Sequence, residues 1–313
     1  MSRLIYVPQF PTPMRYPEWH INEFEYEFKK HFDEVIVLGK NKLENVNVEY
    51  GRIFSPIELS IEYELNQIKE YMELELCDDD ILYLADISFP GLFANILHHK
   101  KPKKCYSYCH ATSKNNYDYF QPVRKSKWKV ECGQSNLFDK IFVGSEYHKK
   151  KLGWDNTEVV YLPQPPFKFN FIQMFYKNKI RDICSASRPT IQKVNKKLEK
   201  KIEKIFGKIN RAIFDDWYSY YSYLAQTKTL LISTREETFG LQAMDAILCG
   251  CIPIAPNKFS YPELLPREYL YDNEEELIYN IKCVNDGKLE VPELLCQSKV
   301  DNFYENIIGI MKG

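Results

Sequence analysis

Two carboxylates flank the start of a predicted helix in the last third of the chain. The sequence STREETFGLQAMDAILCGCIPIAPN, residues 233–257, follows a predicted strand, Leu230–Ile232, and its helix begins near Phe239. Glu237 stands just before this helix, and Asp245 stands a little over two helical turns later. A helix that follows a parallel strand presents free main-chain N–H groups and a positive dipole, which suit phosphate or sugar oxygens. The pattern predicts a ligand site at this edge of a sheet.

Two cations, Arg188 and Lys193, stand five positions apart just after the predicted strand Ile183–Ala186. When a bond to a phosphate group breaks, negative charge develops on the leaving group, and cations already in place stabilise it. The Arg188 guanidinium also has a fork geometry that matches phosphate oxygens. The spacing alone is a weak signal, but its place roughly 50 residues before Glu237 favours a shared phosphate site.

These residues resemble the signature of retaining glycosyltransferase family 4, which is of the GT-B type. The family pattern is E-x-F-G-L…E-A-M-A-x-G-x-P-V, and this chain matches it at Glu237, Phe239, Gly240, Leu241, Asp245, Ala246, Gly250 and Pro253. The resemblance implies that Glu237 binds sugar hydroxyls and that Asp245 binds the ribose, although the family usually has Glu at this second position. It also implies that the main chain at Thr238, Phe239, Gly240 and Leu241 holds the sugar and phosphate. The alternative is an ordinary helix start with an acidic pair.

The same resemblance assigns roles to three further residues. Family members carry Arg and Lys at the spacing of Arg188 and Lys193, where they neutralise the donor diphosphate, and Ser187 replaces the glycine that usually precedes the Arg. His110 follows a predicted strand, at a place where family members often have a His that points at the donor sugar; a structural histidine is the alternative. The resemblance thus implies a retaining hexosyltransferase that uses a UDP- or GDP-sugar, with Glu237, Arg188, Lys193 and His110 as catalytic residues.

No metal or other cofactor is expected, because Arg188, Lys193 and the helix start near Phe239 supply the positive charge that an ion would supply. The triplet Asp78–Asp80 contains a D-x-D, which binds metal in another glycosyltransferase fold, but here it precedes a strand like an ordinary turn. The first strand–helix turn, residues 8–16, is rich in proline and lacks the glycine pair of the family. We therefore keep open a catalytically silent module that binds a nucleotide sugar.

Short apolar runs alternate with amphipathic ones along the chain, a pattern typical of parallel sheets covered by helices. The predicted strands are Leu4–Val7, Val35–Leu38, Ile81–Leu84, Cys105–Cys109, Ile141–Val143, Val159–Leu162, Ile183–Ala186, Leu230–Ile232 and Ile252–Ala255. One predicted helix starts at Pro17 and includes Phe32, and a short one ends at Lys151. The other predicted helices are Ile57–Leu74, Phe89–Leu97, Val194–Ile205, Phe239–Leu248, Glu274–Val284 and Val300–Met311.

The prolines of Pro163–Pro166 interrupt this alternation, so we place a linker from there to about residue 180. At 313 residues, with 44% hydrophobic residues, the chain suits two folded domains. We expect an α/β protein of the GT-B type, with two facing Rossmann-like, doubly wound parallel-sheet domains. Residues 1–165 would bind the acceptor and residues 166–313 the nucleotide sugar, and the last helix would pack back on the first domain.

The acceptor is predicted from an uneven distribution of charge. Residues 1–98 hold 8 Lys+Arg and 18 Asp+Glu, whereas residues 99–151 hold 13 and 4. The basic residues form three clusters, Lys100–Lys104, Arg124–Lys129 and Lys149–Lys151, among the aromatic residues Tyr106, Tyr108, Tyr117, Tyr119 and Trp128. We expect the three clusters to face one acceptor surface that suits a phosphate backbone with bases to stack. DNA with hydroxymethylated bases, which phage glycosyltransferases use, is the acceptor we favour. The alternatives are a solvated basic face and a lipid-linked or cell-surface glycan acceptor.

Targeting segments are not evident in the sequence. The apolar stretch at the N-terminus is too short for a signal peptide, and no run has the length of a transmembrane helix. The nine cysteines are scattered without a CxxC pair, which favours free thiols in a reducing compartment. A cytoplasmic protein of unknown oligomeric state is expected.

Overall fold

The computed structural model describes residues 2–12, 16–40, 57–87, 102–117, 124–165, 179–187 and 193–313, apart from the side chains of residues 57–60 and 124. Within these residues the chain forms two parallel sheets in succession, and helices connect their strands. The protein is therefore an α/β protein with two Rossmann-like domains, as the alternating pattern predicts.

The first sheet has six strands in the order β2-β1-β3-β4-β5-β6. Its strands are β1 (Arg3–Val7), β2 (Glu34–Val37), β3 (Ile81–Leu84), β4 (Lys104–Cys109), β5 (Lys140–Val143) and β6 (Thr157–Val159). The helices described for this domain are α1 (Tyr16–Phe28), α2 (Ile57–Glu73), α3 (Arg124–Ser135) and α4 (Glu146–Leu152). All residues of β3 are buried, as expected for a central strand covered on both faces.

The second sheet has five strands in the order β11-β10-β9-β7-β8. Its strands are β7 (Arg181–Ser185), β8 (Asn210–Arg211), β9 (Thr227–Leu231), β10 (Ile252–Pro256) and β11 (Leu270–Tyr271). The helices are α5 (Lys196–Phe206), α6 (Trp217–Ala225), α7 (Leu241–Leu248), α8 (Tyr261–Leu264), α9 (Glu274–Asn285), α10 (Gln297–Asp301) and α11 (Phe303–Lys312), with a 3-10 turn at Arg267–Tyr269.

Several predicted boundaries are wrong. The last predicted strand of the first domain, Val159–Leu162, is shifted and ends at Val159. Phe32 lies beyond the end of α1, and the single helix expected at Val300–Met311 is split in two at Asn302. The sequence analysis missed β8 and β11, each only two residues long, and also α3 and α6. The helix predicted at Phe89–Leu97 lies outside the described residues.

The last helix, α11, contacts the first domain. The ring of Phe303 lies 5.4 Å from that of Phe24 in α1 and 6.3 Å from that of Tyr108 in β4. The Tyr106 hydroxyl donates to the main-chain carbonyls of Ile310 and Met311, at 3.4 Å from each. The domain boundary that we place between residues 165 and 166 stays a prediction, because residues 166–178 are not among those described.

Candidate active site

A cleft lies where loops at the carboxyl ends of strands from both sheets meet. It is lined by Asn115 and Tyr117 of the first domain and by Lys193, Glu236, Glu237 and Thr238 of the second. Two hydrogen bonds join the domains beside it: the Thr238 hydroxyl donates to the His110 carbonyl at 2.8 Å, and the Ser145 hydroxyl donates to the Thr238 carbonyl. This edge of a parallel sheet is where α/β proteins bind their ligands.

Main-chain pairing brings Lys193 and Glu237 into the same cleft. Val194 forms an antiparallel bridge with Thr234, and the Arg235 N–H donates to the Lys193 carbonyl at 2.9 Å. Lys193 and Val194 therefore lie beside the loop after β9, although the paired residues are about forty positions apart. The Glu237 carboxylate accepts a hydrogen bond of 3.0 Å from the Thr238 N–H. Arg188, the second predicted cation, lies outside the described residues.

The loop between β9 and α7 requires glycine at one position. Gly240 has a φ of 106°, and a Cβ atom there would lie 2.9 Å from the Tyr261 ring and 3.0 Å from a Leu264 methyl group. Because a side chain would both strain the backbone and collide, Gly240 fixes the direction in which the helix leaves the loop. The helix itself begins at Leu241, two residues later than predicted. Phe239 is buried, so of the two residues before Gly240 it is Thr238 that lines the cleft.

A chain of hydrogen bonds supports this loop from behind. The Ser187 hydroxyl donates to the Gln242 side-chain carbonyl at 3.0 Å, and the Gln242 amide donates to the Tyr261 hydroxyl at 3.1 Å. That hydroxyl lies 3.2 Å from the hydroxyl of Thr234. The chain connects the end of β7 with the start of α7, so it couples the position of the segment that leads to Arg188 to that of the Glu237 loop.

Asp245 is held by two tyrosines of α6. Its two carboxylate oxygens each accept a hydrogen bond of 3.0 Å, one from Tyr220 and the other from Tyr221. Burial raises the pKa of Asp245 to about 6, and the tyrosine hydrogen bonds act against this rise. Each carboxylate oxygen has a second lone pair, so Asp245 can still accept hydrogen bonds from a ligand. The sequence offered no signal for this tyrosine pair, because α6 was not predicted.

His110 lies among aromatic rings at the carboxyl end of β4. Its ring centroid is 4.5 Å from that of Tyr16 and 4.7 Å from that of Tyr108. Its Nε2 atom lies 3.1 Å from the Ala85 carbonyl, so Nε2 carries the proton of that hydrogen bond. Burial lowers the pKa of His110 to about 3, against the opposing effect of this hydrogen bond. The neutral ring thus leaves Nδ1 as an acceptor, and the main chain of His110 contacts Thr238.

Glu236 is a site residue that the sequence analysis passed over. It is buried, and contacts from the first domain surround its carboxylate. The Asn115 amide and the Tyr117 N–H donate to it at 3.2 Å each, the Tyr147 hydroxyl donates at 3.4 Å, and Lys151 forms an ion pair with it. The family pattern includes Glu237 but not its neighbour Glu236, and no local pattern connects Glu236 with residues about 85 to 121 positions earlier.

The three basic clusters do not form one surface at the cleft, which corrects the sequence-based expectation. Lys103 and Lys104 lie at the amino end of β4, and Lys103 pairs with Asp79 at 3.2 Å. The other two clusters lie on α3 and α4, which follow the carboxyl ends of β4 and β5. The amino and carboxyl ends of parallel strands form opposite edges of a sheet, so Lys103 and Lys104 are separated from the other two clusters. Lys100 and Lys101 are not among the described residues.

Most of the aromatic residues expected to stack on bases are buried or packed against other rings of the protein. Tyr106 and Tyr108 are buried in β4, and the Trp128 ring stacks on that of Trp154 with centroids 5.4 Å apart. Tyr119 lies outside the described residues. Tyr117 differs, since it is 38% exposed and lines the cleft. It is therefore the member of the expected set that a ligand in the cleft can contact.

Two types of feature are absent from the described part of the chain. Its helices include none that is long and apolar enough to cross a membrane. Among the same residues, no group of three or more His, Cys, Asp or Glu side chains is arranged to hold a metal ion. Asp80 of the D-x-D triplet accepts hydrogen bonds from the Arg3 side chain at 2.8 and 2.6 Å and from the Cys77 N–H at 2.7 Å, which are the contacts of a structural turn.

No protein-family model matches the chain. The Drosophila melanogaster tRNA-queuosine alpha-mannosyltransferase is 38% identical over 84 residues, which are 26% of this chain and 20% of that protein. The chain therefore spans about a fifth of the length of this curated relative.

Solved structures match over the whole chain. Sucrose-phosphate synthase from Thermosynechococcus elongatus superimposes with a TM-score of 0.66 at 11% identity, covering 100% of this chain and 98% of that one. The E. coli trehalose-6-phosphate protein bound with UDP-2-fluoro glucose gives a TM-score of 0.57 at 10% identity, covering 99% and 95%. The two parallel-sheet domains of this chain thus have the GT-B fold of these proteins.

Proposed function

We propose that this protein is a glycosyltransferase that moves a hexose from a nucleotide sugar to a hydroxyl group of an acceptor. The observation that carries the proposal is the cleft in which Lys193 and Glu237 of the second domain face Asn115 and Tyr117 of the first. A cation and a carboxylate lie there within reach of one ligand, at the junction of two sheets. The GT-B fold and the name of the partial relative support the same activity.

The donor would bind to the second domain. Lys193, together with Arg188, would neutralise the diphosphate and stabilise it as the bond to the sugar breaks. Glu237 would accept hydrogen bonds from sugar hydroxyls, and the neutral His110 would offer Nδ1 to another hydroxyl from the opposite wall. The resemblance to family 4 supports transfer with retention and without a metal ion, and the UDP-sugar complex of a protein with this fold supports UDP as the nucleotide.

Asp245 would bind the ribose hydroxyls through the lone pairs that the tyrosines leave available. The hydrogen bonds from Tyr220 and Tyr221 fix the carboxylate of this side chain, which is one methylene shorter than the family's Glu. A fixed carboxylate loses less side-chain entropy when the ligand binds, so the tyrosines compensate for part of the shorter reach.

For the acceptor we propose a nucleic acid with a hydroxyl group on a modified base. The exposed Lys125 and Lys129 on α3 and the exposed ring of Tyr117 support this class of acceptor. The uneven charge distribution of the sequence favours hydroxymethylated DNA as this acceptor. A modified nucleoside of tRNA is the second candidate, and it is favoured by the name of the relative that shares 38% identity over part of the chain.

The test is nucleotide release from UDP- and GDP-hexoses, measured alone and with each acceptor: hydroxymethylated duplex DNA, queuosine-containing tRNA, and vesicles that carry a lipid-linked glycan. Release with both donors at the rate of a protein-free blank, with every acceptor, would refute the enzyme proposal. A thermal shift with a nucleotide sugar but no release would identify a silent binding module. Release stimulated by the vesicles alone would replace the nucleic-acid acceptor by a lipid-linked one.

A further inference from the structure

Glu236 is a buried carboxylate of the second domain whose described partners all belong to the first domain. Its side chain is 6% exposed and pairs with Lys151 on α4, and the hydroxyl of Tyr147, one turn earlier on the same helix, donates to it at 3.4 Å. The Asn115 side chain and the Tyr117 main chain contact it from the loop after β4. A buried carboxylate is costly unless it is paired, so these contacts hold the two domains in one arrangement.

The loop that Glu236 contacts is also fixed from its other side. Ser113 donates to the Glu131 carboxylate of α3 through its hydroxyl, at 2.5 Å, and through its N–H. The Asn115 side-chain carbonyl accepts from the Thr112 N–H at 2.9 Å, which leaves its amide to donate to Glu236. The segment 112–117 is thus attached to its own domain at Ser113 and to the opposite domain at Asn115 and Tyr117.

Tyr117 is held at two points while its ring faces the cleft. The Glu236 carboxylate accepts from its N–H, and the guanidinium of Arg235 lies 5.5 Å from its ring centroid. Tyr117 keeps 38% of its surface exposed and lines the same cleft as Glu237. An exposed aromatic ring held in a fixed position provides a stacking surface for a base or for a sugar ring.

We propose that Glu236 is a positioning residue that places the Tyr117 ring as part of the acceptor site, opposite Glu237. The inference rests on the proposed transfer reaction and identifies which side of the cleft receives the acceptor. Glu236 and Glu237 are consecutive. Glu236 contacts the segment 112–117 and Glu237 would contact the donor sugar, so both contacts come from one short stretch of main chain. Any shift of Tyr117 relative to Glu236 therefore changes the distance between acceptor and donor.

The first test compares two reactions of one variant, Glu236→Gln. This change keeps the size of the side chain but removes the charge that pairs with Lys151 and places an N–H₂ group or a weaker acceptor against the Tyr117 N–H. We expect the ratio of acceptor transfer to acceptor-independent donor hydrolysis to fall about tenfold, the equivalent of one charge-assisted hydrogen bond. The acceptor KM should rise more than the donor KM.

The matched control is Glu263→Gln. The hydrogen bonds of Glu263 also connect the two domains: its carboxylate accepts bonds of 2.8 Å from the Glu146 and Tyr147 N–H groups at the start of α4. Glu263 is not among the residues that line the cleft. If Glu236 acts only by holding the domains together, both variants will lower transfer and hydrolysis equally, and the proposal is overturned. Wild-type protein without hydrolysis or transfer would instead refute the proposed function.

A second measurement does not depend on activity. Hydrogen exchange at the amides of residues 112–117 should become faster in Glu236→Gln and stay unchanged in Glu263→Gln, because the Tyr117 N–H loses its charged acceptor in the first variant alone. Unchanged exchange in Glu236→Gln would overturn the positioning role. Lys151→Met, which removes the counter-charge of Glu236 and leaves the sequence of the loop after β4 unchanged, should shift the same amides in the same direction if Glu236→Gln does not fold.

Discussion

The Thr238 hydroxyl donates a hydrogen bond of 2.8 Å to the main-chain carbonyl of His110, and this bond joins the loop between β9 and α7 of one domain to the end of β4 in the other. The residues lie 128 positions apart in the sequence. The contact fixes the main chain of His110, whose ring stacks on that of Tyr16 and lies 4.7 Å from that of Tyr108, beside the loop that carries Glu237. The candidate site is therefore assembled only when the two domains meet.

The first prediction concerns the cations of the donor site. Lys193→Ala and Arg188→Ala should each lower turnover by about tenfold to a thousandfold, the range for the loss of one contact to charge that develops in the transition state. Lys197→Ala is the control, because Lys197 is an exposed cation on α5 just beyond the cleft segment. Steady-state rates of nucleotide release measure the effect. Wild-type turnover in both site variants would remove the donor site from this cleft.

The second prediction uses the buried histidines. Burial lowers the pKa of His148 to about 3, and repulsion from a protonated His110 and from Lys151 adds to this effect. Above pH 6.5 neither the folded nor the unfolded state binds the proton; below it only the unfolded state does, down to about pH 3. The free energy of unfolding should thus fall by roughly 1.4 kcal/mol per pH unit for each such histidine as the pH decreases through this window.

The variant His148→Leu isolates one of these contributions. Within the described residues both ring nitrogens of His148 are buried without a hydrogen-bond partner, so leucine leaves no polar group unsatisfied there. Denaturant unfolding at pH 7 and pH 5 should show a smaller loss of stability in the variant than in wild type. An equal loss in the two proteins would mean that His148 binds its proton in the folded state.

The third prediction concerns Asp245. If its carboxylate binds ribose hydroxyls, donor affinity should fall as the pH decreases through about 6, where burial places the pKa of Asp245. Tyr221→Phe removes a hydrogen bond that lowers this pKa, so the inflection in the donor Kd should move to higher pH. Tyr223→Phe is the control on the same helix, because Asp245 has its described hydrogen bonds to Tyr220 and Tyr221. A donor Kd independent of pH between 5 and 8 would argue against a ribose contact.

The fourth prediction is that activity does not need a divalent ion. Lys193, Arg188 and the start of α7 would provide the positive charge at the diphosphate, so EDTA should leave the rate of transfer unchanged. The measurement is the initial rate after dialysis against EDTA, with and without added magnesium or manganese. Restoration of a lost rate by either ion would contradict the prediction and direct attention back to Asp78–Asp80.

Particular residues show where the sequence was informative and where it was not. The strand cores were predictable because fully buried parallel strands such as Ile81–Leu84 are continuous apolar runs bounded by turns. The helix α3 was missed because its sequence, RKSKWKVECGQS, is dominated by charge, and α6 because WYSYYSYLA is rich in aromatic residues that favour strands. Tyr106 and Tyr108 were interpreted as surface residues, although they lie on a central strand, β4, that is buried on both faces.

The residues of the candidate site also divide into those that the sequence predicted and those that it did not. Glu237, Gly240 and Asp245 lie in one continuous segment, so their spacing was visible, and the structure places Glu237 at the cleft. The contacts of Glu236 and the tyrosine hydrogen bonds of Asp245 depend on tertiary packing between elements that are distant in the chain. A pattern of residue types within one segment contains no information about such contacts, which is why they required the structure.

The last prediction distinguishes the acceptor classes by their salt dependence. If phosphates bind the face of α3, affinity for duplex DNA should fall with salt with a log–log slope of about −0.9 per phosphate contacted. The double charge reversal Lys125→Glu/Lys129→Glu should flatten this slope by about one to two units and spare donor affinity, because both lysines are exposed and on the second cluster. Lys103→Glu is the control: it makes the same change of charge per residue at the opposite edge of the sheet, beside Asp79, and should leave the slope unchanged. Titrations at several salt concentrations with duplex DNA, tRNA and anionic vesicles measure all three acceptor classes. Binding to vesicles but to neither nucleic acid at about 50 mM salt, a concentration at which phosphate contacts are strong, would show that the basic face of this protein serves a lipid surface.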